Sequence, residues 1–187
     1  NKDTILIAPS WGENSITNLC LFELVSNLIN LKKNIILRPH NRSFLVDNKK
    51  LIKVINYFNK NEFFSIDRDS SSSKSMNHSE LLITDWSGIS FEYILQRKPI
   101  LFIDVPPKVN NKNYHEISHI PLESSMRNEM GEVISEKEII NLNLGELDSK
   151  ISNAKLKISK NNEFISKNFY NFGKSVNVIC DQIEQLK

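Results

Sequence analysis

Short apolar runs alternate along this chain with polar turns and with stretches whose apolar residues recur at helical spacing. Thr4 to Ala8 (TILIA) is the first run and ends in Pro9, which predicts a buried strand. Ile16 to Leu31 carries apolar residues at 16, 19, 20, 21, 22, 24, 25, 28, 29 and 31, which predicts a helix with Ser15 as its N-cap. Asn34 to Leu37 is the next strand and runs into Arg38-Pro39-His40. Asp47 to Asn59 repeats the helical pattern, and Phe63 to Ile66 is a third strand. Serine-rich Asp69 to Ser75 reads as a loop or the polar start of a helix. Leu81 to Ile83, the turn TDWSG, Ile89 to Gln96 and Ile100 to Ile103 make a strand–turn–helix–strand unit. Val105 to Met130 has no sustained period and reads as a long surface loop. Glu132 to Ile134 reads as a last edge strand, followed by helices at Glu136 to Ile140, Leu147 to Ile158 and Val176 to Leu186.

This alternation predicts the α/β class: a single Rossmann-like, doubly wound parallel sheet over residues 1–187, with 145–187 as carboxyl-terminal helices. Strand-to-helix loops of such a sheet share one edge, and ligands bind there. Trp11–Ser15, Arg38–Ser43 and Thr84–Gly88 are therefore expected to converge. The helix start after TDWSG offers backbone N–H groups and the favourable dipole end to an anion. Ser87 and Gly88 are the expected seat of a phosphate or diphosphate, with Ser90 and Thr84 as further hydroxyl donors. On the turn alone, a plain N-cap explains Ser87 equally well, and Asp85 is then part of the turn.

TDWSG is not a nucleophile elbow, because Asp85 and Ile89 stand where that motif needs glycines. Neither a Walker A sequence nor GxGxxG occurs, and five glycines in all leave little for a glycine-rich cradle. Arg38-Pro39-His40 adds to the anion reading. Proline fixes the strand exit, Arg38 offers paired donors to phosphate, and His40 donates to a phosphate oxygen or shuttles a proton. Trp11 is either core or cleft wall. Gly12 makes a tight turn or gives backbone access to a ligand whose hydroxyls Glu13 or Asn14 reads. Asp104 ends a strand near the same edge, and Pro106, Pro107 and Lys108 could wall a base or ribose. Glu92 accepts from ribose hydroxyls or is simply solvated. His78, His115 and His119 show no ligand spacing, so neither a metal nor a cofactor is expected.

Composition changes little: 187 residues, 40% of them hydrophobic and 25% charged, suit a globular domain. A net charge of +2 names no partner, and no nucleic acid is expected. Lys150 to Lys187 holds seven lysines against three acids, first a solvated helix face and second a contact with an anionic membrane surface or polymer. Cys20 and Cys180 lie in apolar helical patterns and read as core thiols of a reducing compartment. No apolar run has the length of a membrane span, no signal peptide is evident, and the first residue is not Met. A fragment of a longer protein is expected, cytoplasmic or peripheral at the inner face of the membrane.

The ordered segments APSWG, RPHNRS, LLITDWSGISFEYILQRKPILFID and FGKS resemble the CDP-glycerol glycerophosphotransferase family, which makes teichoic-acid-like and capsule polymers. The likeness runs over nearly the whole chain but covers only the family's carboxyl-terminal half. Such enzymes resemble GT-B transferases, two Rossmann-like domains facing a cleft. The resemblance implies transfer of glycerol phosphate, or a related polyol phosphate, from a CDP-linked donor to a hydroxyl of a polymer or lipid-linked acceptor. This chain would hold the donor. Ser10 and Trp11, next to Gly12, stand at the family's first cleft loop. Arg38-Pro39-His40 stands where the family has Lys-Pro-His, whose histidine meets the donor phosphates. Thr84, Asp85, Trp86, Ser87 and Gly88 stand where it has Thr-Asp-Tyr-Ser-Ser, which holds the diphosphate. Gly88 departs from that second serine, and a related CDP-polyol or a nucleotide sugar stays open as donor. Arg38, His40 and Ser87 would stabilise the leaving nucleotide phosphate. The general base resembles a histidine of an amino-terminal acceptor-side domain not in this chain, so the chain is expected to bind nucleotide without turning over alone. A GT-B glycosyltransferase domain and a non-catalytic α/β binding domain are the alternatives.

Overall fold

The computed structural model describes residues 3–46, 49–107, 109 and 111–186, with side chains of residues 159–161 left aside. The expected helix start at Asp47, the wall residue Lys108, the Lys160 side chain and Lys187 lie outside the described residues. The chain runs β1 (Thr4–Ile7), α1 (Ile16–Leu19), α2 (Leu21–Asn30), β2 (Asn34–Leu37), α3 (Lys49–Phe58), β3 (Phe64–Ile66), α4 (Ser73–His78), β4 (Leu81–Thr84), α5 (Ile89–Leu95) and β5 (Ile100–Asp104). It continues through α6 (Leu122–Ser125), α7 (Arg127–Met130), β6 (Glu132–Ser135), α8 (Glu136–Asn141), α9 (Leu144–Leu156), α10 (Ile158–Asn168) and α11 (Ser175–Gln185).

The strands form one six-stranded sheet in the order β3-β2-β1-β4-β5-β6, and every neighbouring pair is parallel. Successive side chains point to opposite faces, and both faces are covered. Ile5, Ile7, Leu81, Ile83, Leu101 and Ile103 pack with α2, α3, α8 and α9. Leu6, Leu82, Ile100 and Phe102 pack with Met76 of α4, Tyr93 and Ile94 of α5, Met130 of α7 and Phe164 of α10. Burial on both faces is why these strands read as unbroken apolar runs. The strand order reverses between β1 and β4, so a crevice opens at their carboxyl ends, and the polar loops gather around it.

Several expectations need correction. The helix from Ile16 breaks at Cys20, whose φ of −149° is not helical, and the Lys50 ammonium holds the Asn18 carbonyl beside the break at 2.6 Å. Ser15 precedes α1 but makes no side-chain cap bond. Val105 to Met130 is not all surface loop, since α6 and α7 lie in it and Arg127 and Met130 are buried. α9 starts three residues before Leu147, because Asn143 and Glu146 form a capping box. Cys20 is buried, and burial pushes its thiol up to about 12. Cys180 is exposed and is not a core thiol. It lies on α11, where no residue is buried and Val176, Ile179, Ile183 and Leu186 all face solvent. Helical spacing marks an apolar face but not what covers it.

Candidate functional site

The loops after β1 and β4 are tied together by Asp85. Its Oδ1 accepts the Ser10 N–H at 2.6 Å and its Oδ2 the Ile16 N–H at 2.9 Å. Asp85 is 2% exposed, and Ser10 adds its hydroxyl to the same carboxylate. Burial pushes the carboxyl above its ordinary range, while the amide and hydroxyl bonds work in the opposite direction. Asp85 thus caps the first amide of α1 from the β4 turn, while the buried Ser15 hydroxyl has no hydrogen-bond partner among the described residues. Thr84 adds a second tie, donating its hydroxyl to the Ala8 carbonyl at 2.7 Å.

These ties sort the polar residues of the β4–α5 turn. Thr84 and Asp85 are buried and spent on the β1 loop. Ser90 is buried and donates its hydroxyl to the Ser87 carbonyl at 3.0 Å. The N–H groups of Ser90 and Phe91 bond the carbonyls of Ser87 and Gly88. No described protein group accepts from the N–H of Ser87, Gly88 or Ile89, nor from the Ser87 hydroxyl. Ser87 is half-buried and Gly88 exposed, so the turn that carries these donors is open to solvent at the carboxyl edge of the sheet. Gly88 has an ordinary helical φ of −59°, and a Cβ there meets nothing within 4 Å. Gly12 is different: its φ of +107° requires glycine, and its carbonyl is held by the Asn18 amide at 2.9 Å.

The β2 loop meets the β1 loop through rings. His40 and Trp11 have centroids 6.2 Å apart, and the Arg42 guanidinium lies 4.2 Å from the Trp11 ring centre. His40 is exposed, and its Nδ1 accepts the Arg42 N–H at 3.1 Å. That bond sets the neutral tautomer, leaving the ring proton on Nε2. Arg38 turns the other way. It donates to Asp67 at 2.7 Å and to the Ser70 carbonyl at 3.3 Å, both just beyond β3. Three strand spacings, roughly 14 Å, separate the lines of β3 and β4. The proline between them sends the two side chains to different neighbours.

The Arg38–Asp67 pair carries a pH signature. Burial works to raise the Asp67 carboxyl, but hydrogen bonds from Ser75, the Asp69 N–H and Arg38 outweigh it and hold it below 3.8. A carboxylate depressed by folding stabilises fully above its unfolded value and loses that contribution as pH falls through the folded one. Urea midpoints of wild type and Asp67→Asn should therefore differ by a constant amount above pH 3.8 and draw together below it. A gap independent of pH down to full protonation would contradict this.

Glu92 and Asp104 are separated. Glu92 is exposed and accepts from the Ser72 hydroxyl at 3.3 Å, on the β3–α4 side. Asp104 pairs with Arg127 at 2.9 Å on the far side of β4. Arg127 is 6% exposed, donates also to the Ile103 carbonyl at 2.9 Å, and lies 4.2 Å from the Trp86 ring centre. Trp86 in turn donates its indole N–H to the Val105 carbonyl at 2.8 Å. Trp86 walls two cavities. One, about 570 Å³, is lined by Pro107, Val109, Tyr114, Ile117, Ile120 and Pro121 together with the polar side chains of His115, His119, Glu123 and Ser124. The other, about 190 Å³, lies between Trp86, Pro106 and the stretch Ser10 to Ser15. A third cavity of about 570 Å³ lies on the sheet face at β2 and β3 and meets none of the three loops. The sequence reading passed over Trp86 although its motif was singled out. Nothing in the sequence marks Arg127, whose partners come from β5 and the β4 turn.

Among the described residues, no group of three or more His, Cys, Asp or Glu gathers to hold a metal, and no helix is long and apolar enough to cross a membrane. Three lysines of the basic tail are engaged within the fold: Lys150 with Glu132 and Glu138, Lys155 with Asp3, and Lys157 with Glu132.

The family model described as CDP-Glycerol:Poly(glycerophosphate) glycerophosphotransferase matches residues 1–184. No curated protein matches the chain in sequence. Among solved structures, a variant of the wall teichoic acid polymerase TagF soaked with CDPG is 22% identical, with a TM-score of 0.60 over 99% of this chain and 42% of that one. TagF itself is 20% identical, with a TM-score of 0.56 over 100% of this chain and 45% of that one. The same variant soaked with CDPG for a shorter time is 21% identical, with a TM-score of 0.53 over 89% of this chain and 37% of that one. The chain thus spans less than half the length of the solved proteins that it matches, and at this identity the likeness concerns the fold.

Proposed function

This chain belongs to the CDP-glycerol:poly(glycerophosphate) glycerophosphotransferase family, and from that premise we propose that it holds the CDP-linked donor in transfer of glycerol phosphate, or a related polyol phosphate, to a hydroxyl of a polymer or lipid-linked acceptor. One observation carries the reading. At the β1–β4 reversal, the Ser87 hydroxyl and the N–H groups of Ser87, Gly88 and Ile89 have no acceptor among the described residues. Unused donors facing a crevice suit the oxygens of a diphosphate. His40 lies on the neighbouring loop, its ring beside Trp11. Thr84, Asp85, Ser90 and Ser10 act one step back, holding the loops that present these donors.

In the reaction, the acceptor oxygen attacks the phosphorus that bears glycerol. The bond from that phosphorus to the bridging oxygen breaks, and its electron pair leaves with CMP. The acceptor proton goes to a base on an amino-terminal domain of the same protein. Donors already aimed at the leaving phosphate stabilise the developing charge without reorganising, which is the larger part of phosphoryl-transfer catalysis. Arg38 supports this indirectly, by clasping the β2 exit to Asp67.

The same reading assigns the exposed stripe of α11, Val176, Ile179, Ile183 and Leu186, to contact with that other domain. Spacings of three and four residues put these side chains on one helix face. Lys167 and Lys174 are exposed and remain candidates for peripheral contact with a cytoplasmic membrane surface.

Titration with CMP, CDP-glycerol and a UDP-sugar tests the proposal by calorimetry. Binding of the cytidine ligands in preference to the uridine one is expected. Ser87→Ala should weaken CMP binding about five-fold, the worth of about one hydrogen bond, with an unchanged melting temperature. Preference for the UDP-sugar would make the chain a glycosyltransferase donor domain, and a folded chain that binds no nucleotide would end the donor reading.

A further inference from the structure

We infer that Arg127 is a positioning residue for the donor turn: it fixes the Trp86 ring, and through it the backbone that leads into Ser87 and Gly88. This rests on the donor reading above and adds what holds the turn on its β5 side. The β1 side is held by Asp85, whose carboxylate takes the Ser10 and Ile16 amides. Trp86, the next residue, is held by three consecutive residues at the end of β5. Its indole N–H donates to the Val105 carbonyl at 2.8 Å. Its ring meets the Arg127 guanidinium at 4.2 Å, and that guanidinium donates to the Ile103 carbonyl and to Asp104, both at 2.9 Å. Among the described residues, Ser87 and Gly88 are bonded only through their carbonyls, to the first turn of α5. The anchored pair before them and α5 after them therefore set where they lie.

Stability alone does not account for a guanidinium here. Arg127 is buried against the rings of Trp86 and Phe102, the second at 5.1 Å, and its Nε has no hydrogen-bond partner among the described residues. Burial draws the guanidinium below its usual range, against the pull of Asp104 and Asp85. The Asp104 side chain is 58% exposed, so water screens the ion pair. An apolar side chain of similar length would meet the same rings without these costs, and such replacements of buried charges are often neutral or stabilising. What the apolar chain lacks is direction. The guanidinium is a rigid planar fork, and its two terminal nitrogens are fixed on neighbouring residues of β5. The Trp86 ring lying against it is thereby fixed relative to the sheet edge.

Arg127→Met separates positioning from packing. It keeps the apolar contact and removes the fork, and Asp104, left alone, is solvated. The melting temperature should stay close to that of wild type, while calorimetric titration shows CMP weakened about five-fold, as expected when a fixed side chain regains its rotamers before binding. Trp86 gives a second readout. With Trp11→Phe it is the remaining tryptophan of the chain's two, and loss of the fork should add a fast picosecond-to-nanosecond component to its anisotropy decay. Asp104→Ala, at an exposed position, frees one arm of the fork and should act in the same direction on both readouts. It decides the case if Arg127→Met does not fold. The positioning role is overturned if CMP binds within about two-fold of wild type, or if Trp86 stays as rigid as in wild type. Wild-type chain that binds no CMP would instead end the donor reading, and this role with it.

Discussion

Replacing Asp85 with alanine is expected to destabilise the domain by about 3–5 kcal/mol. Two buried N–H groups, on Ser10 and Ile16, would lose their only acceptor, and each unsatisfied donor costs about 1–3 kcal/mol. Water cannot take over at a residue 2% exposed without opening the loop. α1 also loses its cap, since the Ser15 hydroxyl is not bonded to the helix start. Asp85→Asn should fall between alanine and wild type. One oxygen remains to accept, but the amide NH2 faces an N–H where Asp85 presented a second oxygen. Urea midpoints of the three proteins give the order directly. If Asp85→Ala unfolds within about 0.5 kcal/mol of wild type, the carboxylate is not the tie between the first and fourth strand loops. That outcome would return Asp85 to the candidates for direct ligand contact.

Gly88→Asp is expected to do the reverse, keeping the fold and weakening donor binding about 100-fold. The backbone at Gly88 is ordinary, and an added Cβ meets nothing within 4 Å, so aspartate fits. A negative charge at the start of α5 favours the helix, and the melting temperature should stay level or rise slightly. The same charge opposes a diphosphate. At about 4 Å and an effective dielectric near 20, two unit charges repel by about 4 kcal/mol. Solvent at this open turn reduces that, and a loss of about 100-fold in CDP-glycerol affinity is the expected size. Gly88→Ser provides the matching control. It adds a second hydroxyl beside Ser87, fits the same open space, and should bind the donor as tightly as wild type or a few-fold tighter. Undiminished CDP-glycerol binding by Gly88→Asp would move the phosphate site away from this turn.

The positions of the strands were legible in the sequence because both faces of a parallel sheet are buried, which leaves unbroken apolar runs between polar turns. Thr4–Ile7, Asn34–Leu37, Leu81–Thr84 and Ile100–Asp104 match the expected runs to within a residue at either end. The meeting of the first polar loop with the turn after β4, and of the second loop with the first, followed from that, since carboxyl ends of parallel strands share an edge. The helices were read less evenly. Periodicity found α3 and α5, missed the break at Cys20, and set the start of α9 too late because its capping box lies in a polar stretch.

The site was legible as a set of residues but not as a set of roles. TDWSG contains Thr84, Asp85 and Ser87, three polar side chains that look alike as hydrogen-bonding groups. Only the fold shows that Thr84 is bonded to Ala8 and Asp85 to Ser10 and Ile16, while no described group bonds the hydroxyl of half-buried Ser87. Arg38 and His40 differ in the same way, one clasped to Asp67 and the other beside Trp11. Cys180 and the stripe on α11 show the limit from the other side, apolar spacing with no described core beneath it. By itself the sequence determined the class of fold, the edge where the polar loops meet and the family. Those depend on local periodicity and on the order of motifs, which are properties of the chain alone. Tertiary structure decided which hydroxyls and carboxylates are spent on holding the loops and which remain for a ligand. Each such choice depends on a partner up to 76 residues away, like the Ala8 carbonyl that takes the Thr84 hydroxyl, and no local pattern encodes that distance.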